Sequence, residues 1–456
     1  MQTIDIAVVA AYMLMILFVG LWAGRHVKSV HQFNVSGKTY GMFTMVATLS
    51  SSFIGGGFSN GNAAETFTSG IGNIAALMGF SVGQWLIARY LLPRVRDLSQ
   101  CTSPGDIMGR AYGKQARVLT GLCSFFFASG ILAVQIAAVG HIFRQLLSIP
   151  YGVGILLGFS IVLLYSTTGG IASIIAIDRI QFIVLMVGIP LLVLFGLSAV
   201  GGVGALAQSL PPQYLRIAPT GDWMAFAGLF VSLMVGEALI PSYVQRMFVG
   251  RERDTLRKAT MATAYLSVPF FIMTGGVGLI VFVLDSQIAA PMAMPALILN
   301  VMPVILRGVV ISAMLAVVMS AADTILTSAT VGLSNDVILP LVKLSDKAQL
   351  NLTRGINVVT GLTAMTIALQ GRGVFQLLLF SYRFWAPVVL APLIAALAGK
   401  RARQSILFVA AICGVTVTLW LGDAPLSIAA GFAANAAVFA LGMVYFPLKR
   451  LKYPYE

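Results

Sequence analysis

One apolar stretch of the sequence carries a regular series of hydroxyl and carboxylate side chains. The series comprises Ser320, Asp323, Thr324, Thr327 and Ser328. Their spacing of i, i+3, i+4, i+7 and i+8 places them on one face of a helix whose other residues are apolar. Oxygen atoms of this kind are the ligands that a hard cation requires. We therefore predict that this face is turned toward the interior of the protein.

Four further polar residues stand isolated in apolar stretches, namely Glu65, Gln135, Glu237 and Arg383. An ionisable residue at the centre of a membrane helix costs about 2.5 to 3.5 kcal/mol on insertion scales, so such residues are functional candidates. The guanidinium of Arg383 has the geometry to bind a solute carboxylate through two hydrogen bonds. The alternative is an internal ion pair of Arg383 with Glu237 or Glu65.

The elements that position these residues are interrupted at two places. Gly55, Gly56 and Gly57 follow one another in the apolar stretch near residues 40–61, and each weakens a helix by about 1 kcal/mol relative to Ala. Glu237 and Pro241 interrupt the apolar stretch near residues 222–245. In a membrane the freed backbone groups need partners, so a broken helix is tolerated where it lines a cavity. The alternative for the glycines is close packing of helices through small residues.

The composition indicates that these helices lie in lipid. Hydrophobic residues make up 58% of the 456 residues and charged residues only 10%. Runs of about twenty residues with almost no charge recur, which is the length that crosses about 30 Å of hydrocarbon as a helix. We predict about thirteen spans, counting the first run as a retained span rather than a signal peptide. They lie near residues 4–24, 40–61, 70–92, 118–142, 150–168, 174–200, 222–245, 259–284, 305–332, 354–370, 373–396, 404–421 and 425–446.

The net charge of +14 comes from basic residues in short clusters between the apolar runs. Cytoplasmic loops carry such an excess of Lys and Arg. With the N-terminus outside and the C-terminus in the cytoplasm, most clusters fall on the cytoplasmic side, including a loop that we expect to hold Arg246, Arg251 and Arg253. We therefore expect a multi-pass protein of a bacterial inner membrane that contacts the lipid bilayer and no nucleic acid.

Five stretches of the chain are similar to those of the sodium:solute symporter family. They are residues 47–56 (ATLSSSFIGG), 103–113 (SPGDIMGRAYG), 169–181 (GGIASIIAIDRIQ), 241–246 (PSYVQR) and 319–336 (MSAADTILTSATVGLSND). The resemblance implies an all-α polytopic fold of the leucine-transporter type, forming a single transmembrane domain over residues 1–456. It has an inverted repeat of five plus five helices over 40–200 and 222–396, one extra N-terminal helix (4–24) and two C-terminal helices (404–446).

The same resemblance implies alternating access driven by Na+ and places the ion ligands. A main sodium site would use carbonyls near Val46 and Leu49, the Val317 carbonyl and the Ser320 hydroxyl. The next position, where the family often has a second hydroxyl, is Ala321. A second site would use Ser320 with Asp178, Asp323 and Thr324. Two carboxylates so close would also be able to hold a proton, so coupling to H+ stays open; alternatively Asp323 pairs with an arginine such as Arg179 to lock helices.

The resemblance places the solute between the two broken helices and their neighbours. Our candidate contacts are Ser50, Phe53, Gln135, Glu237 and Arg383. We expect a chain that works as a monomer and takes up a small polar or anionic solute, with a carboxylate as one option. A solute-sensing relative without transport is the alternative, although sensors of the family carry signalling domains after the last span and we expect none here. Nothing in the sequence suggests an enzyme.

Overall fold

The computed structural model describes residues 2–36, 40–95, 101–218, 221–249, 252–370, 381–383, 385–422, 424 and 426–445. Helices account for most of them. The first half contains α1 (Thr3–Gly24), α2 (Val30–Val35), α3 (Met42–Phe53), α4 (Asn62–Ser69), α5 (Ile71–Leu86), α6 (Pro104–Tyr112), α7 (Lys114–Leu147), α8 (Tyr151–Ala199) and α9 (Val203–Ser209). The second half contains α10 (Trp223–Gly236), α11 (Pro241–Arg246), α12 (Arg253–Leu284), α13 (Ala293–Val301), α14 (Leu306–Leu333), α15 (Asp346–Leu369), α16 (Ala391–Leu397), α17 (Gln404–Leu421) and α18 (Ser427–Tyr445).

Ten helices within the described residues are long and apolar enough to cross a membrane. Each coincides with a predicted span, and Met42–Phe53 and Ala386–Leu397 add shorter apolar helices. These findings confirm the polytopic all-α class. The predicted span at 373–396 falls partly outside the described residues, so the count of thirteen stays a prediction.

Helix α8 is too long to be one span. Its 49 residues extend over about 74 Å at 1.5 Å per residue, more than twice the hydrocarbon thickness. The backbone leaves the helical conformation at Gly170, where φ is 51° and ψ is −140°. A side chain there would place its Cβ 2.4 Å from the Phe33 carbonyl oxygen, so only glycine fits. The break separates the two spans predicted at 150–168 and 174–200.

The glycine triplet interrupts the second predicted span, as expected. Helix α3 ends at Phe53, Ile54 has a ψ of 86°, and a π-helical turn over Gly57–Gly61 leads into α4. A Cβ on Gly55 would lie 2.8 Å from the Gln135 amide nitrogen. The glycines are therefore needed for the close approach of this segment to α7.

The second interruption follows α10, which ends at Gly236. Leu239 adopts a left-handed φ of 48°, and α11 restarts the helix with Pro241 in its first turn. The predicted break is thus confirmed. The two breaks lie at matching places in the predicted repeats of 40–200 and 222–396, a division that stays a prediction.

Helix α14 lies at the centre of the protein, against α1, α7 and α8. In its most apolar window 94% of the residues are buried within the protein, against 28% for α1. A helix so enclosed needs no lipid-facing surface, which explains why it tolerates the polar series that begins at Ser320.

A cluster of charges joins α6 and α7 to the end of α14. The Arg117 guanidinium lies 2.8 Å from an Asp106 carboxylate oxygen and 3.5 Å from one of Asp336. Asp336 also accepts hydrogen bonds from the Ser103 hydroxyl at 2.5 Å and the Asn335 amide at 3.0 Å. One guanidinium therefore holds two carboxylates, one of them fully buried.

Candidate cation site and solute cavity

The carboxylate of Asp178, on the second half of α8, is the centre of a buried polar cluster. One of its oxygens accepts a hydrogen bond from the Thr48 hydroxyl of α3 at 2.5 Å. The other accepts from the Ser320 hydroxyl of α14 at 2.6 Å. Asp178 is fully buried. Three helices that are distant in sequence therefore bring oxygen atoms to one point, as a cation site requires.

Arg246 enters the same cluster, and its position corrects the expectation that it lies in a loop. It is the last residue of α11 and is only 1% exposed. Its Nε donates to Thr48 Oγ1 at 2.9 Å, and its Nη2 donates to Thr324 Oγ1 at 2.5 Å and lies 3.4 Å from Asp178 Oδ2. Its Nη1 donates to the Ser242 carbonyl at 3.2 Å. The guanidinium thus contacts oxygens from four elements.

Asp323 lies beside this group and has a different partner. Its carboxylate accepts a hydrogen bond from the Tyr165 hydroxyl at 2.7 Å and one from Thr324 at 3.2 Å. Arg179, offered as its ion-pair partner, is exposed on the outer side of α8. The alternative lock between Asp323 and Arg179 is therefore not formed, because the buried arginine of this cluster comes from α11.

The charges of the cluster do not balance. Asp178 and Asp323 are both fully buried, and Arg246 is the cation that faces them among the described residues. With both carboxylates ionised, the cluster carries one excess negative charge. A buried charge without compensation is strongly unfavourable, so the cluster can hold a proton on one carboxylate or bind one further monovalent cation.

The carbonyls predicted for the main sodium site belong to regular helix. Val46 and Leu49 lie about two turns and one turn before the end of α3. Val317 is buried in α14, about one turn before Ser320. The role of these three carbonyls as Na+ ligands stays a prediction.

The break after α3 frees backbone groups that a helix would use. The N–H of Gly55 donates to the Phe53 carbonyl at 2.9 Å, and the N–H of Gly56 donates to the Gln135 side-chain oxygen at 2.7 Å. In an unbroken helix these donors would serve the carbonyls of Ser51 and Ser52. Those two carbonyls therefore lose their helical donors where α3 ends.

A cavity is enclosed by four elements, namely the two helix breaks together with helices α7 and α14. The space between its lining atoms measures about 370 Å³ in total. Its walls are mainly aromatic and aliphatic, with one carboxylate and one amide. The lining residues are Ser52, Phe53, Gly55, Gly57, Phe58, Phe127, Ile131, Gln135, Glu237, Ile240, Ala321 and Ile325.

Glu237 occupies the break between α10 and α11 and is 5% exposed. Its carboxylate accepts a short hydrogen bond from the Tyr382 hydroxyl. The Trp385 indole donates to the neighbouring Ala238 carbonyl at 3.2 Å. Two aromatic side chains from the segment before α16 thus fix the second break.

Three of the five predicted solute contacts line the cavity: Phe53, Gln135 and Glu237. Ser50 points away from it, with its hydroxyl 3.5 Å from that of Thr263 on α12. The Arg383 guanidinium donates to the Gly422 carbonyl at 2.9 Å, after α17, and does not line the cavity. The alternative ion pairs of Arg383 with Glu237 or Glu65 are not formed, because neither carboxylate lies within ion-pair distance of a cationic side chain among the described residues. The roles of all five as solute contacts stay predictions.

Sequence reasoning missed Arg246, Tyr165 and Tyr382. Arg246 borders a basic segment, so the charge pattern placed it with the loop. Tyrosine is common at the ends of membrane helices, so neither tyrosine differed from an interfacial residue in the sequence. A signal for Arg246 was nevertheless present, because it follows Pro241 by five residues and so lies inside the second broken segment.

The chain is similar to several proteins of known sequence or structure. The solute carrier family 5 member 4 of Rattus norvegicus is 24% identical over 84% of this chain and 62% of its own length, so the chain spans less than two thirds of that relative. The sodium/glucose cotransporter of Vibrio parahaemolyticus is 23% identical over 93% of this chain and 86% of its own length. A solved Na+-coupled sialic acid symporter in a substrate-bound, outward-open state superposes with a TM-score of 0.88 at 19% identity and 99% coverage of both chains.

The last similarity establishes a shared fold. The family model for sodium:solute symporters matches residues 33–414, which include both broken helices, the Asp178 cluster and the cavity. The chain belongs to the sodium:solute symporter family.

Proposed function

We propose that the protein is a secondary active transporter that moves a small polar solute together with Na+ by alternating access. The observation that carries the proposal is the position of the α3 break. Before the break Thr48 contacts the buried Asp178 cluster, and at the break Phe53 and Gly55 line the cavity. A single interrupted helix therefore joins a cation site to a solute site, which is the arrangement that coupling needs.

Na+ is the coupling ion in this proposal, and the Asp178 cluster is a site for it. Oxygens of Thr48, Asp178, Ser320, Asp323 and Thr324 provide the hard ligands that Na+ prefers. In the conformation described here, Arg246 occupies part of this ligand set. Na+ entry and the contacts of Arg246 are therefore competing ways to balance the same carboxylates. The carbonyls near Val46 and Leu49, the Val317 carbonyl and the Ser320 hydroxyl remain the proposed ligands of the main sodium site.

The remaining properties are proposed from sequence. The distribution of Lys and Arg supports a bacterial inner membrane with the N-terminus outside and the C-terminus in the cytoplasm. The chain is proposed to work as a monomer, since the cation cluster and the cavity are both complete within one chain. A carboxylate on the solute depends on Arg383, which contacts Gly422 and lies outside the cavity lining.

Uptake into proteoliposomes tests the proposal. Labelled amines, amino acids, polyols and carboxylates are supplied with an inward Na+ gradient, with a K+ gradient of equal ionic strength, or with a proton gradient alone. We expect one solute to accumulate above its external concentration only with Na+. Equilibration without accumulation would indicate a channel, and binding without uptake would indicate a sensor; either result would overturn the proposal.

A further inference from the structure

The cavity presents a carboxylate that the protein itself satisfies only in part. Glu237 is 5% exposed and lines the cavity. The Tyr382 hydroxyl is its one hydrogen-bond donor among the described residues, and no arginine, lysine or histidine of those residues forms an ion pair with it. A buried carboxylate accepts several hydrogen bonds and needs a compensating charge, so it is incomplete without a further donor.

The hydrogen-bond donors next to Glu237 are already in use. The Tyr382 hydroxyl serves Glu237 itself, the Trp385 indole serves the Ala238 carbonyl, and the Ser52 hydroxyl serves the Thr48 carbonyl. The carbonyl of Ser52, in contrast, has lost its helical donor at the break. Apart from the Gln135 amide, the polar surface that the described residues offer to a solute near Glu237 therefore consists mainly of acceptors.

The other walls favour a positive charge or at least tolerate it. Among the described residues, no lysine, arginine or histidine lines the cavity, whereas Phe53, Phe58 and Phe127 do. Aromatic faces attract an ammonium group within about 6 Å, and such contacts contribute about 0.5 to 2 kcal/mol. A solute anion would meet no cationic side chain in this lining and would be repelled by Glu237.

The dimensions limit the solute to a small molecule. The space between the lining atoms, about 370 Å³, includes room that is open to solvent, so the solute itself must be smaller than this volume. Gln135 uses its oxygen for the Gly56 N–H, which leaves its amide N–H groups for a second polar group of the solute. The cavity thus suits a compact solute with one donor-rich end.

We infer that the transported solute carries an ammonium group, which the Glu237 carboxylate binds against the aromatic wall of the cavity. This inference rests on the proposed transport function and adds the chemical class of the solute. It differs from the carboxylate suggested by Arg383, because the charge that lines the cavity is negative. A zwitterion satisfies it only if its ammonium end is the group that Glu237 binds.

The test compares three probes that share one ring and differ in one group: cyclopentylamine, cyclopentanol and cyclopentanecarboxylate. Each is titrated into the purified full-length protein in saturating NaCl, and thermal stabilisation gives an apparent Kd. We expect the amine to bind at least about tenfold more tightly than the alcohol, a difference of about 1.4 kcal/mol. The carboxylate should give no stabilisation. Equal binding of amine and alcohol, or preferential binding of the carboxylate, would overturn the inference.

A substitution assigns the preference to Glu237. Glu237→Gln keeps the shape of the side chain and an acceptor for Tyr382 but removes the charge, so the amine should lose its advantage over the alcohol. Glu65→Gln is the matched control, since Glu65 lies on α4 and outside the cavity lining, and its amine preference should equal that of the wild type. An undiminished preference in folded Glu237→Gln would overturn the assignment. If that variant does not fold, the probe order in the wild type alone decides.

The binding test and the uptake test distinguish a failure of the ammonium inference from a failure of the symporter proposal. Binding of the carboxylate with Na+-driven accumulation of an anion would overturn the ammonium inference and leave the symporter proposal intact. Tight binding of the amine without Na+-driven accumulation of any solute would overturn the symporter proposal and leave only the preference of the cavity for an ammonium group.

Discussion

Replacing Arg246 by methionine should destabilise the protein in the absence of Na+ and make its stability depend more strongly on Na+. The guanidinium is 1% exposed and hydrogen-bonds to Thr48 and Thr324 beside the Asp178 carboxylate. Methionine retains much of the length of the side chain and removes its charge. The excess negative charge of the buried cluster then rises from one to two, with Asp323 as the second carboxylate.

The expected magnitude follows from general energetics of buried charges. Removal of one partner from a buried ion pair costs about 3 to 5 kcal/mol, because the remaining charge is left uncompensated. Na+ at a hundred times its Kd stabilises the folded state by about 2.7 kcal/mol if it binds only that state. Na+ should therefore restore most of the loss in Arg246→Met. In the wild type its effect should be smaller, because Arg246 already balances one carboxylate.

Thermal unfolding of the purified protein measures this effect as the melting temperature over a series of NaCl concentrations. KCl replaces NaCl to hold the ionic strength constant, since salt also screens exposed charges. Arg117→Met is the matched control, because Arg117 likewise faces two carboxylates, those of Asp106 and Asp336. We expect that variant to lose stability without recovery in Na+. If Arg246→Met responds to Na+ no more than the wild type does, the Asp178 cluster is not a Na+ site.

Three further predictions concern the cation site and the solute. Asp178→Asn and Asp323→Asn should each raise the Na+ concentration for half-maximal uptake by roughly tenfold or more. The reason is that a hydrogen bond to a charged group contributes about 1.5 to 3 kcal/mol. Unchanged Na+ activation in both variants would show that these carboxylates do not bind the cation. Ser320→Ala should likewise weaken Na+ activation, whereas Ala321→Ser should alter solute affinity, because Ser320 donates to Asp178 and Ala321 lines the cavity. Unchanged Na+ activation in Ser320→Ala in uptake assays would contradict this assignment. Arg383→Lys should change the Kd of acidic and neutral solutes equally, because the guanidinium contacts Gly422; a loss confined to acidic solutes would show that it binds a carboxylate.

The helix breaks could be predicted from the sequence because their causes are local. Three consecutive glycines lose helix propensity wherever they occur, and Pro241 cannot serve as a helix interior residue without losing a hydrogen bond. The polar face of α14 was predictable for the same reason, since its spacing repeats with the helix period. In each of these elements the information lies within about two turns of chain.

The partners of the polar residues could not be predicted, because they come from distant parts of the chain. Asp178 and Arg246 are 68 residues apart, and Arg246 and Thr324 are 78 apart. Arg179 was the candidate partner of Asp323 and lies one residue from Asp178, yet it points outward because successive residues of a helix differ by about 100°. Only the packing of α11 against α14 decides which arginine is buried.

Coupling between the two sites follows from the direction of side chains on α14. Ser320 contributes to the Asp178 cluster, while Ala321 and Ile325, on an adjacent face, form part of the cavity wall. Adjacent residues of a helix point about 100° apart, so one rigid helix presents a cation face and a solute face together. Because α3 contacts the Asp178 cluster through Thr48 and lines the cavity through Phe53 at its end, a movement of α3 relative to α14 changes both sites at once. Movement of only one of these helices is therefore enough to link Na+ binding to access of the solute.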